Sequence, residues 1–253
     1  MDIPLYLHRI QYDGSLEPNS TTLRRIQVAH LRTVPFENLD IPLGRPISLE
    51  PEALFDKIVV RCRGGFCYEL NGLFASLLKE LGFAVTFLSA MDLHADGTYS
   101  PEFDHLTLMV QCADDPSVRW LADVGYGDSF LEPLRLDDSS EQVQGLRAYR
   151  IAPERDNHFV WQRDYDGKWE RLYFFTLQPW RFTEFEPMCI YHQTSPQSPF
   201  TQKRLCTLAT IDGRITLADS RFISTVQGKR QEQPVEGEQS YRQILKERFG
   251  IEV

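Results

Sequence analysis

No apolar run in this chain approaches the roughly 20 residues that a membrane-spanning helix needs, so nothing in it reads as a transmembrane segment. There is no C-x-x-C pair among the five cysteines, Cys62, Cys67, Cys112, Cys189 and Cys206. That absence, with an odd and scattered count, points away from a zinc site or any other metal and from a disulfide scaffold, and makes free thiols the expectation. Neither a G-x-G-x-x-G nor a Walker sequence occurs, which removes the common nucleotide-binding signatures. Positive charge is scarce: 27 Lys and Arg stand against 36 Asp and Glu, a formal net charge of −9. A balance of that sign disfavours nucleic acid as a partner, and a polyanionic ligand would need a locally basic patch. Met1-Asp2-Ile3-Pro4-Leu5 has no basic stretch followed by an apolar one, so no signal peptide is expected and the cytoplasm is the expected location. Repeats and low-complexity segments are missing as well. What remains, with 42% hydrophobic and 25% charged residues, is the composition of an ordinary globular protein.

The chain is organised around Arg61-Cys62-Arg63-Gly64-Gly65-Phe66-Cys67-Tyr68-Glu69-Leu70-Asn71. Leu70, Leu73, Phe74, Leu77, Leu78 and Leu81 then repeat at helical spacing, with Lys79 in the last turn and Gly82 as a stop. Cys67 therefore opens a helix, where unpaired N–H groups and the dipole favour a thiolate. A buried, inert thiol is the plain alternative.

Residues 1–82 read as mainly helical, with Asn19-Ser20 capping a helix over 21–33 and Ser48 and Pro51 starting another through Val59. After Gly82 the period changes. Residues 83–91 form a continuous apolar run, and 105–111 alternate before turn residues 113–117 and a return strand over 118–124. Two more hairpins flank Asp166-Gly167 (158–163 with 169–175) and Asp212-Gly213 (204–210 with 214–217). A last amphipathic helix spans 239–249, and polar residues 228–237 are the expected flexible stretch. Helices and strands are segregated, which predicts an α+β fold and argues against a parallel sheet.

A cysteine nucleophile needs a base, and the base an orienting group. His105 begins a strand, and Asp123 ends the paired one in the apolar context Trp120-Leu121-Ala122-Asp123-Val124. A carboxylate there needs a partner, and an imidazole N–H supplies one across a hairpin. The roles follow as nucleophile for Cys67, base for His105 and tautomer-fixing group for Asp123. The alternative leaves His105 as an exposed strand end and Asp123 as a cap on the Gly125–Gly127 turn.

On these residues the chain resembles the arylamine N-acetyltransferase family. The matching stretches are Pro35-Phe36-Glu37-Asn38-Leu39, the block from Arg63 to Asn71, His105 within 104–110, and Leu121-Ala122-Asp123-Val124-Gly125-Tyr126-Gly127. The pattern over 191–200 and Asp212-Gly213-Arg214 matches too. The resemblance implies a helical N-terminal domain (1–82), an antiparallel β-barrel middle domain (83–190) and a C-terminal α/β lid (191–253), with a cysteine-protease-like core. It places a Cys-His-Asp triad on Cys67, His105 and Asp123. It implies acetyl-CoA as acyl donor in a ping-pong reaction through acetyl-cysteine, with arylamines, arylhydrazines or N-hydroxyarylamines as acceptors. Gly125, Tyr126 and Gly127 match the loop that meets the coenzyme, with the Tyr126 ring toward the acceptor. Asp128 sets a negative charge beside that loop, unfavourable unless it points away. Phe36, Tyr68 and Phe200 are candidates for an aromatic wall, and Lys203-Arg204 and Lys229-Arg230 for coenzyme phosphates. Arg63 and Glu37 match a structural brace. Other chemistries on the same triad, an amide synthase or a transglutaminase-like enzyme, differ in the acyl donor. A binding module that keeps the triad as scaffold is the non-enzyme alternative. Oligomeric state is left open.

Overall fold

The Asn19 side chain accepts from the Thr22 backbone N–H at 2.8 Å, the N-cap that starts the first long helix. In the computed structural model, which describes residues 1–94, 97–155 and 157–253, the elements begin with α1 (Ile3–Arg9), α2 (Ser20–Thr33), the two-residue strand β1 (Phe36–Glu37), α3 (Pro51–Phe55) and α4 (Cys67–Glu80). Helix α3 runs on into a π-helical turn, Asp56–Val60. Helix α4 buries Leu70, Leu73, Phe74, Leu77 and Leu78, the face its spacing predicts. These side chains join Leu23 and Ile26 of α2 and Leu54 of α3 in the largest hydrophobic cluster. The sequence reading missed α1, a short helix that buries only Tyr6 and so carries no periodic signal.

Eight strands follow in an antiparallel sheet: β2 (Ala84–Asp92), β3 (His105–Gln111), β4 (Arg119–Ala122), β5 (Leu134–Arg135), β6 (Gln142–Gln144), β7 (Arg147–Glu154), β8 (Asn157–Arg163) and β9 (Trp169–Thr176). Their order is β5-β4-β3-β2-β9-β8-β7-β6. The two edges return toward one another and are joined by side chains rather than by a backbone ladder. The Gln142 amide makes a reciprocal pair with the Arg135 backbone at 2.8 and 3.0 Å, and Gln144 caps the Leu131 and Glu132 N–H groups. The sheet is thus a nearly closed barrel around Leu88, Leu121, Val160, Tyr173 and Phe175. Both predicted hairpins of this region are present. Strand β4 stops at Ala122, so Asp123 lies just past its end.

Beyond a short 3₁₀ turn, Phe182–Phe185, come α5 (Glu186–Thr194) and α6 (Pro199–Gln202). A second sheet contains β10 (Leu205–Ala209), β11 (Gly213–Ala218), β12 (Arg221–Val226) and β13 (Lys229–Pro234), and α7 (Gly237–Phe249) closes the chain. Strand β1 pairs with β10, and Phe36 also bridges to Gly65, so the turn ahead of Cys67 is joined through β1 to the C-terminal sheet. The stretch 228–237, expected to be flexible, is instead mostly strand β13, paired along its length with β12. All six of its residues are exposed, so no apolar alternation marked it. The signal was the turn: Gln227 and Gly228 both have positive φ, at 49° and 78°, the geometry of a tight hairpin. Among the described residues, no helix is long and apolar enough to cross a membrane.

Candidate active site

Cys67 is the first residue of α4, with Phe66 at the N-cap. The Glu69 side chain turns back, and its Oε2 accepts from the Phe66 backbone N–H at 3.1 Å. This satisfies one of the donors left over at a helix start. Glu69 Oε1 accepts from Lys57 at 2.7 Å, and Lys57 also reaches Asp40 at 2.7 Å. Arg63 donates to Asp40 at 3.1 Å and holds Glu37 through Nε and Nη2 at 3.0 and 2.8 Å. The Arg63–Glu37 brace expected from sequence is therefore one link of a longer chain of three carboxylates and two cations. It is buried under the turn that presents Cys67. Burial pushes the Glu69 carboxyl up to about 7, against the pull of Lys57. A surplus carboxylate in a buried set behaves this way.

His105 opens β3, paired with Ala90 of β2. Its Nε2 lies 2.7 Å from Asp123 Oδ2, and both residues are buried. An ionised carboxylate only accepts, so Nε2 carries the proton and Nδ1 is the nitrogen left for a neighbour. Asp123 takes three further donors: Tyr173 Oη at 3.0 Å, Asn71 Nδ2 at 2.9 Å and the Gly125 N–H at 2.8 Å. Burial alone would raise this carboxyl, but the charge and hydrogen bond of His105, with Asn71 and Gly125, hold it below the usual range. Burial alone would lower the His105 ring, and Asp123 outweighs it, with Asp92 and Asp104 adding, so the ring stands above its ordinary value.

Sequence reasoning missed Asn71 and Tyr173 as partners of Asp123. Asn71 was open to it, since it lies one helical turn after Cys67 on the same face. It also donates to Leu106 O at 2.6 Å and accepts from Val124 N–H at 2.9 Å, which ties α4 to strand β3 carrying the imidazole and to the segment after β4 carrying the carboxylate. Gly125 completes the join. A Cβ there would meet Asn71 Nδ2 at 2.7 Å and the Cys67 Cα and O at 2.8 Å, so no side chain fits between this loop and the first turn of α4.

Cys67 and His105 face one cavity of about 410 Å³, which Tyr126, Gly127, Phe36 and Phe200 also line. Tyr68 is not in that wall. It is fully buried, and its hydroxyl donates to the Phe103 and Asp104 carbonyls at 2.7 and 3.0 Å. The expectation that the helix start holds a thiolate needs correcting. Burial pushes the Cys67 thiol well up, Asp104 and Cys189 add to this, and a Leu106 backbone hydrogen bond pulls only partly against them. A thiolate at this position would therefore need a base nearby, the helix start alone not being enough. Gly125, Tyr126 and Gly127 all line the cavity, with the Gly125 N–H given to Asp123 and the Tyr126 hydroxyl to Leu172 O; Gly127 sits at φ +90°. The Tyr126 ring meets His105 edge-on at 5.2 Å.

The charge of Asp128 is neutralised by Arg147 at 2.6 Å and Arg214 at 3.0 Å, which answers the concern about that position. Of the basic pairs weighed from sequence, only Lys203 reaches the cavity. Arg204 pairs with Glu238 at 2.7 Å and stacks on Tyr241, and Arg230 pairs with Glu232 at 2.6 Å. Cys189 is buried, hydrogen-bonded by Gln193 at 3.3 Å, and pushed up to about 12 mainly by burial.

A cysteine at a helix start, a carboxylate-held imidazole and a shared cavity form an arrangement able to perform nucleophilic acyl transfer. An N-acetyltransferase family model matches residues 20–253. Arylamine N-acetyltransferase of Mycolicibacterium smegmatis is 36% identical, over 100% of this chain and 93% of that protein. Among solved structures, the Mycobacterium tuberculosis arylamine N-acetyltransferase superposes with a TM-score of 0.93 at 33% identity, covering 99% of this chain and 94% of that one. The Mycobacterium marinum arylamine N-acetyltransferase in complex with CoA also gives 0.93, at 30% identity, covering 99% and 93%. The chain belongs to the arylamine N-acetyltransferase family.

Proposed function

We propose that this protein moves an acetyl group from acetyl-CoA to an aromatic amine, hydrazine or N-hydroxyarylamine by way of acetyl-Cys67. The observation that carries the reading is the meeting of Cys67 and His105, with Asp123 behind the ring, at one cavity inside a member of this family. His105 Nδ1 takes the Cys67 proton, and the thiolate attacks the thioester carbonyl. CoA leaves as its thiol, with the proton returned by the imidazolium, and acetyl-cysteine remains. The amine then attacks, His105 accepts its proton, and the thiolate departs with the amide formed. Asp123 fixes the tautomer throughout and stabilises the imidazolium. The Cys67 backbone N–H is a candidate donor to the tetrahedral oxyanion.

Lys203, on the β10–β11 side of the cavity, supplies the local positive charge that an acidic chain needs for CoA phosphates, while Arg214 beside it is paired with Asp128. Tyr126 and Gly127 meet the same space, and Tyr126, Phe36 and Phe200 give it an aromatic wall. The five unpaired cysteines support a reducing, cytoplasmic setting. The test is two-substrate kinetics with acetyl-CoA and an aniline. Parallel double-reciprocal lines, with one CoA thiol released per acetylanilide, are expected. Intersecting lines would refute the acyl-enzyme.

A further inference from the structure

Of the charges facing the cavity, Lys203 and Arg214 stand on the β10–β11 side, where Arg214 is paired with Asp128, and Asp92 and Asp104 stand on the barrel side. Asp104 has a cationic side chain beside it when His192 is protonated, His192 Nε2 lying 3.1 Å from its Oδ1 without a hydrogen bond formed. Asp92 differs. It sits at the end of β2, directly opposite Tyr173 on β9 and two residues beyond the Ala90 that pairs with His105. Strand alternation therefore puts Asp92, His105 and Tyr173 on one face. Asp92 Oδ1 is buried without a hydrogen-bond partner, and Asp92 makes no ion pair among the described residues. The neighbouring Tyr126 hydroxyl donates to Leu172 O at 3.0 Å and also acts on the Asp92 carboxyl. Burial raises that carboxyl, the largest effect; His105 and the Tyr126 hydroxyl pull the other way, and Asp104 raises it again. A half-buried carboxylate left in this condition gains most from a cation brought by a ligand.

We infer that Asp92 is a specificity-determining residue that selects acceptors carrying a cationic group beyond the aromatic ring, and disfavours acceptors carrying a carboxylate there. The proposal rests on the acetyltransferase reading, because the cavity is the acceptor's only through Cys67. This placement makes the two half-reactions compatible in one cavity: phosphates lie toward Lys203, and a cationic acceptor, entering after CoA has left, toward Asp92. The aromatic walls hold the ring between them, and the aryl nitrogen meets the acyl carbon beside His105.

The test uses three acceptors of matched shape on the full chain with acetyl-CoA: para-aminobenzyl-trimethylammonium, its neutral isostere para-neopentylaniline, and para-aminophenylacetate. The quaternary nitrogen cannot itself be acetylated, so the product is unambiguous. We expect kcat/KM for the cation to exceed that for the neutral isostere by about tenfold or more, and the anion to fall below it by a similar factor. In Asp92→Asn the cation-to-neutral ratio, taken within that variant, should fall to near one, while Asp92→Glu should keep most of the preference. Acylation of Cys67 by acetyl-CoA, read by intact mass, reports that each variant is folded. Equal kcat/KM for cation and neutral isostere would overturn the proposal and leave the acetyltransferase reading standing. So would a preference that survives in Asp92→Asn. Failure of the neutral isostere and of plain aniline to accept acetyl would remove the reading and this proposal together.

Discussion

Replacing Asp123 with Asn changes one atom and should cost most of the activity. The carboxylate holds four donors, with His105 and Tyr173 on Oδ2 and Asn71 and Gly125 on Oδ1. Asparagine can keep Asn71 and Gly125 on its oxygen, and its NH₂ then replaces Oδ2. Facing a donor, His105 Nε2 must become an acceptor, which moves the ring proton to Nδ1, the nitrogen that has to receive the Cys67 proton. The imidazolium also loses its counter-charge in a fully buried site. The same inversion in a serine triad costs about ten-thousandfold in kcat. A fall of about a thousand- to ten-thousandfold in kcat/KM is expected here, or about 4 to 5.5 kcal/mol. Tyr173 can accept from the new amide, so the stability cost should be modest, about 1–3 kcal/mol. Acid titration gives a second readout. The Asp123 carboxyl is depressed in the folded state, so the stability it contributes is complete above the ordinary carboxylate pKa and is lost as pH falls through the folded value. The Asn variant, with nothing to titrate, should lose less stability over that window. Acetylation within tenfold of wild type, in a protein with unchanged melting behaviour, would refute the role given to Asp123.

Arg63→Ala leaves Glu37 Oε1 buried without the two N–H donors it accepts from and should destabilise by about 3–5 kcal/mol, seen as an earlier denaturant midpoint. Glu69 is raised in the folded state to about 7, above its unfolded pKa. It therefore favours folding at low pH and loses that contribution as pH rises from its unfolded pKa through about 7, and Glu69→Gln should flatten stability over this interval. Gly125→Ala must push the loop off the first turn of α4, at about 1–3 kcal/mol of overpacking. Its kcat should fall more than tenfold while aniline KM changes little.

The parts of the fold that bury one regular face were legible in the sequence. Helix α4 announced itself by leucine spacing, and the hairpins by alternation around Asp166-Gly167 and Asp212-Gly213. What stayed hidden lacks such a face. Strand β13 is exposed on both sides and held by backbone pairing alone. Helix α5 buries only Cys189 and His192, too few positions for a period. In the site, Cys67, His105 and Asp123 could be named because nucleophile, base and orienter are constrained residue types, and the resemblance to the family picked them out among the candidates. Asn71 and Tyr173 could not, because their part depends on three elements meeting at Asp123, which no local pattern records. Nor could the sequence show that the Cys67 thiol is pushed up, since burial beside Asp104 and Cys189 belongs to the assembled core.

The central claim is that Cys67 carries the acetyl group. The direct measurement is intact mass after brief mixing with acetyl-CoA and no acceptor. A gain of one acetyl group, ~42 Da, is expected in wild type, none in Cys67→Ala, and loss of the added mass when aniline follows. An unchanged mass in wild-type protein that still acetylates aniline, or acetylation persisting in Cys67→Ala, would contradict the account.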